Sequence, residues 1–240
     1  MTAVLILRPE PGASDSAARA HALGLETVTA PIFVVRPLAW DPPEPPSVDA
    51  VLLTSANALR YGGEAIAAFT DLPCYCVGPA TASAARAAGF GVVRIGPSDG
   101  DATVAMMVAD GITRALHLSG RDHVGLADPA IGLERRLVYA AEPVRALPHE
   151  AARALGRGAL VLLHSPRSAA AFARLIDEAG IERGDIALAA ISTNAAEAAG
   201  PGWRAKHEAA APRDEALLEL AAKLCKTAGD RETKVDENGL

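Results

Sequence analysis

The chain has 240 residues, half of them hydrophobic, with 22% charged residues and a slightly positive mean hydropathy of +0.17. That is enough apolar material for one large core or two small ones, and it excludes wholesale disorder. The formal net charge of −6, with no Lys/Arg-rich block, argues against a nucleic-acid or anionic-membrane partner.

In chain order, a strand over 4–9 ("VLILRP") leads to a helix over about 13–23 and then an extended stretch, 26–38. After the turn-forming "WDPPEPPSVD" come the strand "AVLLTS", a helix to about Phe69 and the strand "PCYCVG" (73–78). "PATASAARAAG" reads as a helix closed by Gly89, where a positive φ is cheap. "VVRIGP", a helix "ATVAMMVAD" ended by Gly111, and "ALHLSG" (115–120) follow. "GLERRLVY", with Arg135 and Arg136, reads as a solvated helix face. This βαβα rhythm with nearly all-apolar strands predicts α/β architecture, a parallel sheet covered by helices on both faces. Residues 226–240 lack apolar periodicity and are expected to form a disordered tail.

The second half echoes the first. "ALVLLHSPRSAAAF" repeats "AVLLTSANALRYG" with Ser165 110 positions after Ser55, and Ile191 in "IALAAISTNAAEAAG" falls 114 after Val77 in "PCYCVGPATASAARAAG". "PRDEALLELA" repeats "SDGDATVAMMVA" at an offset of 113, and "ALHLSGRDH…VYAAEPV" repeats "VLILRPEPG…TVTAPI" at 112. The chain is thus two copies of one α/β unit. Two organisations fit: a sequential split near residue 112, or an interleaved one in which the middle segment, about 40–138, is one domain and both ends form the other.

Ligands of open α/β sheets bind beyond the carboxyl ends of the strands. Here those ends carry Arg8, Ser55, Asn57, Thr81, Ser119, Gly120, Arg121, Ser165, Ser192, Thr193 and Asn194. Several precede helices, whose free N–H groups suit carboxylates or phosphates. Taken one at a time, Ser55, Asn57 and Ser165 are better explained by plain N-capping, with Pro166 suited to the first helical position, and it is the two facing rims together that favour a ligand cleft. No GxGxxG, no GxxxxGK[ST] and no GxSxG is present, so a dinucleotide site, a P-loop and a hydrolase elbow lack support. His21, His117, His123, His149, His164 and His207 have no ligand spacing, and no metal is expected. Cys74, Cys76 and Cys225 read as buried apolar residues in a reducing compartment. No run approaches a membrane span and the N-terminus has no signal-peptide pattern, so a cytoplasmic location is expected.

Laid out this way, the sequence resembles the uroporphyrinogen-III synthase family. The likeness runs over nearly all of 4–225 and is carried by "LILRP", "AVLLTSANA", "YCVGPATASAARAAGF", "LHLSG", "VYAAEPV", "VLLHSPRSAAAF" and "PRDEALLELA", in that order. The resemblance implies two similar flavodoxin-like domains with parallel sheets, joined by two extended connectors. One is discontinuous, 1–37 with 142–225, and the other is inserted, 40–138. The repeated strand ends then become two walls of a cleft for hydroxymethylbilane, a linear tetrapyrrole with eight carboxylates, which is closed to uroporphyrinogen III with its last ring inverted. Tyr139 in "VYAAEPV" matches the family tyrosine assigned to the leaving hydroxyl, and its phenol can donate a hydrogen bond. Thr81 matches a family threonine, Ser55 and Ser165 match the serines at its two strand ends, and Arg8 and Arg121 are carboxylate partners. No cofactor is implied. A monomer is expected, with transient contact with the preceding enzyme of the pathway.

One departure stands out. The family's second-copy loop carries Gly-x-Thr where this chain has Ser192-Thr193-Asn194, and matching Thr193 to that threonine requires a shifted register. An alternative reading therefore keeps the architecture without the chemistry, a two-lobed ligand-sensing module. The retained Tyr139 favours the enzyme.

Overall fold

A computed structural model describes residues 3–122 and 125–237, from 228 onward by backbone alone, so that His123 lies outside the described residues. The chain divides into two compact units, one of 1–34 with 143–240 and one of 35–142.

The first unit is built on a five-stranded sheet. Its strands are β1 (Val4–Ile6), β2 (Thr27–Thr29), β9 (Leu160–Leu163), β10 (Ala187–Ala190) and β11 (Ala205–Glu208), in the spatial order β2-β1-β9-β10-β11. All pairings are parallel, with Val4 opposite both Thr27 and Leu160. Parallel strands need crossovers, and these are α1 (Gly12–Ala22), α5 (His149–Leu155), α6 (Pro166–Glu178) and α7 (Thr193–Ala198), with α8 (Asp214–Glu237) closing the chain. Val4, Ile6, Leu160, Leu162, Ala187 and Ala189 share one face and pack on Ala13 and Ala20 of α1 and Leu217, Leu218 and Ala221 of α8. The alternate residues Leu5, Val161 and Leu188 are just as buried and point to the opposite face, which is why these strands read as unbroken apolar runs.

The second unit holds β4 (Ala50–Leu53), β5 (Cys74–Cys76), β6 (Val93–Ile95), β7 (Arg114–Gly120) and β8 (Gly132–Pro143), with β3 (Phe33–Pro37) beside β8, in the order β3-β8-β7-β4-β5-β6. Its helices are α2 (Asn57–Tyr61), α3 (Pro79–Ala87) and α4 (Gly100–Ala109). Val51, Leu53, Cys74, Cys76, Leu116 and Leu118 face Ala58, Phe69, Ala82 and Ala85, while Ala50, Leu52, Tyr75 and Ala115 face Val104 and Met107 of α4. Helices thus cover both faces, as the all-apolar strands predict. The β7–β8 pairing slips at the end: Ser119 opposes Leu137 but Gly120 opposes Tyr139, a bulge that brings Tyr139 level with Gly120.

The two sheets have one topology, and the sequence repeat explains it. Taken in the order β1, β2, β9, β10, β11, the first sheet reads 2-1-3-4-5, the flavodoxin-type order. Taken in the order β7, β8, β4, β5, β6, the second reads the same way. Strands β7 and β8 are the second-copy counterparts of β1 and β2, so each unit combines the first two strands of one copy with the last three of the other.

Three local expectations are corrected. The helix expected to reach about Phe69 stops at Tyr61 and gives way to a 3₁₀ segment, Glu64–Phe69, because Gly62 and Gly63 intervene and Gly63 takes φ +71°. Arg135 and Arg136 lie on the long strand β8 rather than a helix, and Arg136 donates to Asp41 O and Glu134. The backbone past Lys226, where a disordered tail was expected, is helical to Glu237 as a continuation of α8. Cys74 and Cys76 are buried as expected, Cys225 is only partly so, and all three are free. The Cys76 sulfur at 3.7 Å and burial hold the Cys74 thiol far above its ordinary pKa, so it stays protonated.

Candidate functional site

In the second unit the polar groups gather at the carboxyl ends of β7, β4 and β5. Tyr139 is half-buried beside Gly120, and its ring occupies the space a side chain there would need: a Cβ on Gly120 would lie 2.6 Å from Cε2 and 3.0 Å from Oη. Tyr61 of α2 tilts against the same ring, with centroids 6.2 Å apart. The Tyr139 carbonyl accepts from Arg121 N, which ties the loop after β7 to β8. The Arg121 guanidinium pairs with Glu142 at 3.5 Å, both about half exposed. Ser119 is fully buried, and its Oγ has no partner among the described residues.

Ser55 Oγ accepts from Asn57 N at 3.2 Å, a local turn that starts α2, and the Asn57 side chain is half-buried. Helix α3 begins differently. Its N-cap, Gly78, offers no side-chain oxygen, Pro79 fills the first position, and a Cβ on Gly78 would meet nothing within 4 Å. Thr81 lies in the first turn of the same helix and is 7% exposed. The start of α3 thus lacks a side-chain cap, in contrast to the serine-capped α6 and α7 of the first unit.

In the first unit the caps account for two predicted residues. Ser165 caps α6 in a reciprocal box with Ser168, and Ser192 Oγ accepts from Ala195 N of α7. Because Gly78 and Ser192 are both N-caps, the 114-residue offset holds through this loop. Thr193 then stands where Pro79 does, and Ala195 where Thr81 does. Thr193 Oγ1 donates to Glu208 at 2.7 Å, and Asn194 is exposed. With a carboxylate already beside it, Thr193 is poorly suited to a second one.

Arg8 stands at the end of β1, 112 residues before Gly120 in the repeat, and folds across Gly12. Its NH1 donates to Ser16 Oγ at 3.1 Å and lies 3.6 Å from Asp214. Asp214 also receives Arg19 at 2.6 Å and His164 Nε2 at 2.9 Å, while His164 Nδ1 is buried without a partner among the described residues. Sequence reasoning missed this cluster. Its members stand at positions 8, 16, 19, 164 and 214; Arg8 was a candidate in its own right, and "HSPRS" and "PRDEALL", as strand-end and repeat segments, pointed near it, but nothing in the sequence joined them.

No group of three or more His, Cys, Asp or Glu side chains among the described residues is placed to hold a metal ion. No helix among them is long and apolar enough to cross a membrane.

The sequence profile of the family described as "Uroporphyrinogen-III synthase HemD" matches residues 14–219, most of the chain. The chain belongs to the uroporphyrinogen-III synthase family. A solved structure of uroporphyrinogen-III synthetase from Helicobacter pylori 26695 superposes with a TM-score of 0.61 at 16% identity, covering 93% of this chain and 100% of that one. This likeness shows the shared fold. A uroporphyrinogen III synthase from the extremely thermophilic bacterium Thermus thermophilus superposes with a TM-score of 0.42 at 15% identity, over 95% of this chain and 99% of that one. No curated protein matches in sequence. Membership places this family member in porphyrin and tetrapyrrole biosynthesis, with a small-molecule pyrrole substrate.

Proposed function

We propose that the protein is a lyase that closes hydroxymethylbilane to uroporphyrinogen III with loss of water, working in the cytoplasm as a monomer. The observation that carries the assignment of chemistry to a residue is the seating of the Tyr139 ring on Gly120 at the β7–β8 bulge, at the carboxyl end of β7. The reaction is redox-neutral. The terminal hydroxyl leaves as water with the help of a proton donor, for which Tyr139 Oη is the candidate. The resulting azafulvene is attacked by the substituted carbon of the last ring, and the spiro intermediate breaks and re-closes with that ring inverted. The proton supplied to the hydroxyl is balanced by the one lost as the last pyrrole regains aromaticity.

Unassisted closure gives the symmetric type I isomer, so the protein's task is largely positioning, for which effective molarities of about 10⁵–10⁸ M are available to well-oriented partners. The uncapped start of α3, with Thr81 and Gly78, supports a role in holding carboxylates through backbone N–H groups. Arg8 and Arg121 are the charged candidates for the same role, Ser55, Asn57, Ser119 and Gly120 shape the rim, and Ser165, Ser192 and Asn194 serve chiefly by presenting helix starts.

The test is isomer analysis. Hydroxymethylbilane is generated in situ, the purified protein is added, and the oxidised product is resolved into uroporphyrins I and III. Predominantly type III supports the reading. Type I alone, at the rate seen without protein, overturns it.

A further inference from the structure

The Asp214 carboxylate, in the first turn of α8, is 9% exposed yet gathers four side chains from other segments. Ser16 Oγ lies 2.9 Å from Oδ1, His164 Nε2 2.9 Å from the same oxygen, Arg19 NH1 2.6 Å from Oδ2, and Arg8 NH1 3.6 Å from Oδ1. Burial pushes this carboxyl up. The hydrogen bonds from His164 and Ser16 and the charges of His164 and Arg8 more than reverse it, so the group stays ionised below the ordinary carboxylate range. A buried ion cluster gives little net stability over apolar packing of the same volume. Its function must be sought in what it holds in place.

What it holds is a pair of guanidinium groups. Arg8 follows β1 and His164 follows β9, neighbouring strands whose carboxyl ends form the ligand-binding rim of such a sheet. The Arg8 and Arg19 side chains are 34% and 42% exposed, and each is anchored through NH1 alone. Their Nε and NH2 groups have no partner among the described residues. A guanidinium has five N–H donors in a fork that fits a carboxylate, and here most of that fork is unused. The nearest competitor, Glu215, meets Arg19 at 3.6 Å and is 60% exposed, a contact worth little. Gly12 completes the arrangement, because a Cβ there would lie 2.5 Å from Arg8 Nε.

We infer that Asp214 is a positioning residue that sets Arg8 and Arg19 as a paired guanidinium site for one carboxylate of the tetrapyrrole substrate. The inference rests on the proposed reaction and deepens it.

Two variants test it from opposite directions. Asp214→Asn removes the anchoring charge. Gly12→Ala keeps every charge but pushes Arg8 aside, and at a helix position alanine costs no stability relative to glycine. Arg183→Gln, which breaks the Asp177 pair elsewhere in the unit, serves as a stability control. With hydroxymethylbilane as substrate, Asp214→Asn and Gly12→Ala are each expected to raise KM about tenfold with kcat within about twofold, while Arg183→Gln leaves KM unchanged. Gly12→Ala should melt no lower than the wild type. A wild-type KM in Gly12→Ala, or a KM rise in Asp214→Asn that Arg183→Gln reproduces, overturns the inference. A second arm measures equilibrium binding of uroporphyrin III, a polycarboxylate tetrapyrrole, to the same proteins. If the wild type forms only type I isomer, the reaction assignment fails, and this arm still decides the site: weaker binding in Gly12→Ala upholds it, and unchanged binding refutes it.

Discussion

Tyr139 owes its place to a neighbour without a side chain. Because the ring rests where a Gly120 Cβ would lie, the two positions are coupled, and each predicts the other's effect. Tyr139→Phe removes the donor and keeps the ring, so turnover should fall roughly 100-fold or more with the melting temperature little changed, checked by stopped assay and calorimetry. Wild-type rates would remove Tyr139 as the acid. Gly120→Ala leaves the hydroxyl intact but displaces it. A shift near 1 Å can cost about 10²-fold, so kcat should drop while circular dichroism stays unchanged. A third residue-scale expectation concerns acid stability. Arg114 and Thr113 hydrogen bonds bring the Asp49 carboxyl down to about 2. A depressed folded value means its contribution is fully present above the unfolded value and is lost as pH falls through about 2. Urea unfolding should therefore show wild type more stable than Asp49→Asn above about pH 5, with the gap closing steadily toward pH 2. A gap independent of pH would show that the pair does not act through its charge.

At the scale of elements, helix starts separate structural from functional serines. Helix α6 carries Pro166 at its first position and a complete box between Ser165 and Ser168, and it buries Ala169, Phe172, Ala173 and Ile176 on one face. Ser165→Ala should cost about 1 kcal/mol of unfolding free energy, read from the denaturation midpoint. An unchanged midpoint would free Ser165 from its cap and strengthen a direct ligand role. Helix α3 has nothing comparable to lose, since its N-cap is Gly78. Much at this scale was legible in the sequence. The strand runs, the Gly89 and Gly111 stops and the Pro166 start all report local rules of period and backbone freedom. The break at Gly62 and Gly63 was less so, because the apolar positions Ile66 and Phe69 continue a helical spacing across it. Placing Arg136 on β8 was beyond local rules, because its partner Asp41 lies 95 residues away.

The whole molecule exchanges parts between two repeats. In the first unit β1 lies between β2 and β9, so the sheet's middle comes from the two ends of the chain. The second unit draws its strands from one continuous stretch, 33–143, with separate cores on each face of its sheet. A fragment of 35–142 should therefore fold alone, with dispersed amide resonances and a cooperative melt, whereas 143–240 alone, lacking β1 and β2, should not. A structured 143–240 fragment would contradict this account. By itself the sequence determined the class of the fold, the repeat and the family resemblance, because each is written in short-range periodicity or in residues a fixed distance apart. Tertiary structure alone decided that Thr193 pairs with Glu208, that Gly120 is a seat for Tyr139, and that Arg8 answers to Asp214. Those pairs join residues whose spacing in the chain carries no pattern. Ser16 and Asp214 stand 198 positions apart, and only the packing of α1 and α8 on one face of the sheet brings them within a hydrogen bond.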